Sequence, residues 1–180
     1  MHEDLEKVLF TREQIQQRIE DLAREISRDY RGRELMLVTV LKGAVFFLTH
    51  LAQSLEIPAR LDFLGIASFS PGLALPGVVR ISKDLDQDIQ GMDVMVIEDI
   101  VDTGLTLRYL LNVLSGRQPR SLVVCTFLDK ATRRLVEIPV KYRCFEIPDR
   151  FVVGFGLDYD QRYRTLPCVG ILKSQIYQNR

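Results

Sequence analysis

Three short segments in this chain, ELMLVTVL (34–41), DVMVIED (93–99) and SLVVCTFL (121–128), each hold an apolar run broken by no more than one threonine. A strand with one wet face alternates apolar and polar residues. A strand covered on both faces does not, and such strands belong to parallel sheets sandwiched between helices. Segments with helical spacing follow the first two runs: KGAVFFLTHLAQSLE, and LTLRYLLNVLS with Leu107, Leu110, Leu111 and Leu114 on one side and Gly116 and Pro119 as the stop. Ahead of them, TREQIQQRIEDLAREISRDY carries Ile15, Ile19, Leu22 and Ile26 at steps of four, three and four. Thr11 and Gln14 in that segment are placed as in a capping box. The alternation predicts an α/β fold with a mainly parallel central sheet, helices on both faces and right-handed crossovers. ARLDFLGIASF and VVRIS add strands, SPGLALPG between them reads as a loop, and CFEIP and FVVGFG have strand character with no helix between them. This helix-poor remainder predicts a small cap.

At 180 residues the chain suits one domain, able to bury roughly two thirds of its unfolded surface. Lys plus Arg and Asp plus Glu both number 24, so no net basic field favours nucleic acid, and an anionic ligand must be held by local geometry. The N-terminus MHEDLEKVLF has no basic region leading into an apolar stretch, and no run approaches the ~20 apolar residues of a membrane span. A cytoplasmic protein with neither nucleic-acid nor membrane partners is expected. Cys125, Cys144 and Cys168 are odd in number, widely spaced and in apolar surroundings, which predicts buried free thiols.

The most informative stretch is VMVIEDIVDTG (94–104), where a buried strand ends among three carboxylates and a Thr-Gly turn. Ligands of open parallel sheets sit outside the carboxyl ends of strands, which places Glu98 and Asp99 at that edge. In the following DTGLT, the first amides of a helix are unpaired donors favouring an anion. Gly104 lets the backbone approach closely, and Thr103 and Thr106 add hydroxyls. No Walker-type G-x-x-x-x-G-K-[ST] occurs. Taken alone, the stretch also admits a plainer reading in which Asp102 caps the helix and Glu98 and Asp99 are solvated. Acidic strand ends are found in receiver domains and metal-dependent nucleotide hydrolases too.

VMVIEDIVDTGLTL closely resembles the phosphoribosyl-diphosphate signature of type I phosphoribosyltransferases. VTVLKGAVFF (38–47), FLDKATRR (127–134) and FEIPDRFVVGFGLDYDQRYRTLP (145–167) narrow the resemblance to the bacterial hypoxanthine-guanine group, over nearly the whole chain. The resemblance implies one phosphoribosyltransferase domain over 1–180, with a hood from the N-terminus and residues 145–180 and a mobile lid at about 68–82. It also implies transfer of 5-phosphoribosyl from phosphoribosyl diphosphate to hypoxanthine or guanine, releasing pyrophosphate.

By that resemblance, Glu98 and Asp99 hold the ribose hydroxyls, and Asp102, Thr103, Gly104, Leu105 and Thr106 hold the 5-phosphate. Asp102 is the general base toward purine N7. Lys42 and Gly43, following a cis peptide after Leu41, bind pyrophosphate with Arg164, Ser68 and Phe69. Lys130 donates to the six-position oxygen, Phe151 stacks on the ring, and Val152 and Asp158 read the two-position. Mg2+ is implied as cofactor, with Glu98, Asp99 and Asp158 as ligands, and self-association to a dimer or tetramer is implied as well. The apolar AVFFL helix face suits either core or interface. The chain departs from the family in its lid, SFSPGLALPG. There Phe69 replaces a tyrosine and Leu73, Ala74 and Leu75 replace polar residues, so a stiffer, more apolar lid is expected. An RNA-binding regulator of the same fold and a xanthine-preferring enzyme are the alternatives.

Overall fold

The computed structural model describes residues 1–68 and 79–178. Phe69 and most of the expected lid lie outside the described residues. In chain order the strands are β1 (Leu5–Phe10), β2 (Leu35–Val40), β3 (Ala59–Ser68), β4 (Val79–Lys83), β5 (Asp93–Val101), β6 (Ser121–Asp129), β7 (Val140–Glu146), β8 (Val152–Val153) and β9 (Val169–Leu172). The helices are α1 (Arg12–Asp29), α2 (Val45–Ser54), α3 (Leu105–Ser115) and the single turn α4 (Ser174–Tyr177).

The main sheet has the order β4-β3-β2-β5-β6-β7, and its three apolar runs form the adjacent inner strands β2, β5 and β6. All its pairings are parallel except β3 with β4. Each inner strand feeds two cores, one through every second residue. Leu35 and Leu37 of β2, Met95 and Ile97 of β5, and Cys125 and Phe127 of β6 pack with α1 and α2. The residues between them, Met36, Val38, Val94, Val96 and Val124, pack with Leu107, Leu110, Leu111 and Leu114 of α3. Fully burying one such side chain contributes about 1.5–3 kcal/mol. The four leucines are thus the chief reason α3 holds its position.

The capping box of α1 is present. Thr11 N donates to Gln14 Oε1 at 2.9 Å, and Gln14 N donates to Thr11 Oγ1 at 3.3 Å. In α2, Phe47, Leu48 and Leu51 are wholly buried, so this face of the AVFFL helix belongs to the core. The three cysteines are free and buried, and burial pushes the Cys125 thiol well up and the Cys144 thiol to about 12. Such thiols are unreactive. Among the described residues no helix is long and apolar enough to cross a membrane.

A second sheet of order β1-β9-β8 is antiparallel and joins the two ends of the chain, with Leu5 opposite Leu172 and Val152 opposite Ile171. The sequence did not predict β1 or β9. FVVGFG is strand only at Val152–Val153, because Gly154, Phe155 and Gly156 all have positive φ and turn the chain toward the main sheet.

Candidate functional site

The strand that carries the acidic stretch is longer than the apolar run suggested. β5 continues to Val101 and pairs Ile100 with Leu128 and Val101 with Asp129, whereas β2 pairs with it only as far as Thr39 opposite Ile97. Glu98 and Asp99 therefore extend past the last pair with β2, at the carboxyl edge where β2 gives way to its loop. The Leu41–Lys42 peptide in that loop is cis.

The loop and the acidic strand end are packed nearly atom to atom. A Cβ on Gly43 would lie 1.8 Å from Asp99 Oδ2, and a Cβ on Gly156 would lie 2.1 Å from the Gly43 carbonyl oxygen. Gly156 also has φ +98, so glycine is needed there both for space and for conformation. Burial raises the Asp99 carboxyl to about 6, with the charge of Asp158 adding and the Ile100 amide and Arg164 opposing. Burial, and then the Asp99 charge, push Glu98 well above the ordinary glutamate range. Two adjacent carboxyls that resist ionisation together are what a cation or a hydroxyl donor would relieve.

At the head of α3, Gly104 is the N-cap at φ +81, and no side chain caps the helix. A long Leu105 N to Thr103 Oγ1 contact of 3.5 Å is the nearest substitute. Asp102 is thus not a cap, which removes the plainer reading of its carboxylate. Its Oδ1 lies 3.2 Å from Arg133 Nε and its Oδ2 3.9 Å from Lys130 Nζ. Oδ1 is nonetheless buried without a hydrogen bond of proper geometry, because the Arg133 contact is one of charge only. Lys130 is buried, its backbone amide donates to the Val101 carbonyl at 2.9 Å, and its Nζ also reaches Asp149 Oδ1 at 3.5 Å.

A cavity of about 370 Å³ brings Asp99, Asp102, Lys130, Phe151, Val152 and Asp158 together, with Ile100, Arg133 and Leu157. Phe151 is 37% exposed, so it is not the core aromatic that an isolated phenylalanine usually is. Beyond Asp158, Arg164 Nη2 pairs with Asp158 Oδ1 at 2.8 Å and Nη1 donates to the Gly156 carbonyl at 2.7 Å. Arg164 Nε is buried without a partner. Gln161 links Arg164 to Lys42, since its Oε1 accepts from Lys42 Nζ and Arg164 Nη2, each at 3.4 Å. Lys42, Gly43, Asp158 and Arg164 thus form a second group beside the cavity. Ser68 ends β3 at the same sheet edge.

The expected Mg2+ ligands Glu98, Asp99 and Asp158 come from two parts of the chain, the end of β5 and the segment after β8, and Asp99 and Asp158 line the same cavity. Among the described residues no three His, Cys, Asp or Glu side chains gather closely enough to hold a metal ion. Asp158 directs one oxygen to Arg164 and the other to the Gln161 amide, at 2.8 Å each. Arg133, Asp149 and Gln161 were missed from sequence. FLDKATRR and FEIPDRF contain the first two, but nothing in their spacing shows that Arg133 faces Asp102 or that Asp149 faces Lys130.

The model of the phosphoribosyl transferase domain family matches residues 9–160 of this chain. The chain belongs to that family. Within it, the chain is 51% identical to a hypoxanthine-guanine phosphoribosyltransferase of Mycobacterium avium, over 97% of this chain and 89% of the relative. It is 42% identical to one from Streptococcus thermophilus, over 98% of each. A crystal structure of a hypoxanthine phosphoribosyltransferase from Staphylococcus aureus superimposes with a TM-score of 0.95 at 42% identity, covering 99% of this chain and 97% of the other. Family membership accounts for the type I fold with its mainly parallel sheet.

Proposed function

We propose that this protein is a purine salvage transferase that moves 5-phosphoribosyl from phosphoribosyl diphosphate to hypoxanthine or guanine, giving IMP or GMP and pyrophosphate. The observation that carries the reading is the cavity at the end of β5, where Asp102, Lys130 and Phe151 meet beside the uncapped head of α3. The relatives favour this reading over an RNA-binding regulator, and the balanced charge agrees.

The 5-phosphate sits against the amides of residues 102–106, where the helix macrodipole and the threonine hydroxyls of Thr103 and Thr106 favour an anion. Glu98 and Asp99 take the ribose hydroxyls. Their negative charge also favours the oxocarbenium-like carbon that forms as pyrophosphate departs. The base lies on Phe151 with its six-position oxygen toward Lys130 and its two-position toward the Val152 and Asp158 carbonyls. An oxo group satisfies the buried ammonium, while the amino group of adenine would leave it unpaired. Asp102 accepts the proton from N7 as N9 attacks the anomeric carbon. Lys42, Gly43 and Arg164 receive the pyrophosphate, with Ser68 and Phe69 at the lid.

Mg2+ fits the carboxyls present, because it is usually held by one or two carboxylates together with substrate phosphates and water. Glu98 with Asp99 on the sugar side, and Asp158 on the pyrophosphate side, would hold it, and it would neutralise diphosphate charge. The three buried free thiols suit a reducing, cytoplasmic setting. Self-association to a dimer or tetramer belongs to the same reading.

The test is pyrophosphate release with phosphoribosyl diphosphate, Mg2+ and each of hypoxanthine, guanine, xanthine, adenine and uracil. Turnover with hypoxanthine or guanine and little with adenine is expected. Turnover with uracil alone, or with no base, contradicts the reading, and a clear preference for xanthine corrects its specificity.

A further inference from the structure

The last turn of the chain touches the base site indirectly. Tyr177, in α4, stacks on Phe151 with ring centroids 4.9 Å apart and planes 23° from parallel. Tyr159 meets the Phe151 ring edge-on, at 5.7 Å and 88°. Phe151 lines the 370 Å³ cavity, whereas neither tyrosine is among its lining residues. One face of the Phe151 ring is therefore committed to Tyr177, which does not itself line the cavity.

Both rings hang from the small sheet. Leu172 N donates to the Phe151 carbonyl at 2.9 Å, so the strand that leads into α4 is tied to the residue α4 covers. Lys173, between them, is fixed at both ends: its backbone amide donates to the Asp4 carbonyl at 3.0 Å and its Nζ to the Glu3 carbonyl at 2.6 Å. Tyr177 itself packs against a cluster that includes Leu5, Val153 and Leu172.

A phenylalanine that is 37% exposed has a side chain free to turn about χ1 unless something holds it. A ring that must present one face to an aromatic ligand loses affinity with each alternative rotamer it visits, because ordering it is then charged to binding. We infer that Tyr177 is a positioning residue for the purine: by backing Phe151 it fixes the plane on which the base stacks, which makes the C-terminal turn part of base recognition. The inference rests on the reading of Phe151 as the stacking platform.

The experiment compares Tyr177→Ala, Tyr177→Phe and Phe151→Ala by steady-state kinetics with hypoxanthine and with phosphoribosyl diphosphate as the varied substrate. Tyr177→Ala is expected to raise the KM for hypoxanthine by roughly 3- to 10-fold, the scale of a lost aromatic pair. Its KM for phosphoribosyl diphosphate and its kcat at saturating base should stay within about twofold of the unaltered protein. Tyr177→Phe keeps the ring and should restore the base KM. If Tyr177→Ala leaves the base KM unchanged while Phe151→Ala raises it, the inference fails and the platform stands. If neither variant changes it, the platform reading fails and the inference with it. Equal rises in both KM values for Tyr177→Ala mark a general loss of structure and also overturn the inference.

Discussion

Arg133 Nε stands 3.2 Å from Asp102 Oδ1, and that oxygen is buried without a hydrogen bond. On the other side, Lys130 Nζ is 3.9 Å from Asp102 Oδ2, and both cations also reach Asp149, at 3.4 and 3.5 Å. Asp102 is thus approached by two cations that each have a second carboxylate to turn to. A purine carrying an N–H for Asp102 and an oxygen for Lys130 would supply the hydrogen bond Oδ1 lacks, without stranding either charge.

Lys130 is buried, and its reach toward both carboxylates is long, so a substrate oxygen would offer it a better partner. Replacing it by methionine keeps much of the volume and removes the donor. Lys130→Met is expected to lower kcat/KM for hypoxanthine by roughly 10- to 100-fold, the scale of one hydrogen bond to a charged group. The ratio of hypoxanthine to adenine turnover should fall with it. Steady-state assays with both bases check this, and an unchanged ratio would remove Lys130 from base selection.

The contact of Gly156 with the Gly43 carbonyl leaves no room for a side chain, and its φ of +98 disfavours one in any case. Gly156→Ala should destabilise the protein by about 2 kcal/mol or more in urea unfolding. Gly43→Ala acts differently, because its methyl meets the Asp99 carboxylate rather than backbone. That variant should raise the KM for phosphoribosyl diphosphate more than it lowers the unfolding midpoint.

The raised Asp99 carboxyl gives a pH dependence of definite sign. Its ordinary value of 3.8 rises to about 6 in the fold, so the folded protein binds the proton more tightly than the unfolded chain. Its favourable contribution is present below about pH 4 and is lost as pH climbs through 6. Glu98, raised well above its ordinary 4.5, shifts in the same direction. Thermal unfolding of the free protein should show stability from this pair declining from pH 4 toward 7, and Asp99→Asn should flatten the decline. A slope unaltered by that substitution would place its origin elsewhere.

The inner strands were legible because continuous apolar runs have few other uses, and α3 because Leu107, Leu110, Leu111 and Leu114 repeat at helical spacing ahead of Gly116. The capping box of Thr11 and Gln14 was equally plain, since it is a local contact. β1 and β9 were not, because each is short and its partner lies at the far end of the chain, as with Leu5 opposite Leu172. The same limit governed the site. The Glu98–Asp99 pair and the Asp102–Thr103–Gly104 turn announce themselves in one segment. Arg133, Asp149, Gln161 and Tyr177 contact neighbours that only the tertiary fold brings near. The extension of β5 past Glu98 was hidden for a related reason: charged residues looked like a strand end, although pairing with β6 continues to Val101.

The proposed reaction depends most directly on Asp102 as the proton acceptor, distinct from the groups proposed to hold phosphate and sugar. Single-turnover formation of IMP by Asp102→Asn, with phosphoribosyl diphosphate affinity measured in parallel, tests it. A rate reduced by ~10²-fold or more, with diphosphate affinity kept within about threefold, is the predicted result. A rate equal to that of the unaltered protein, or a loss confined to diphosphate binding, would contradict it.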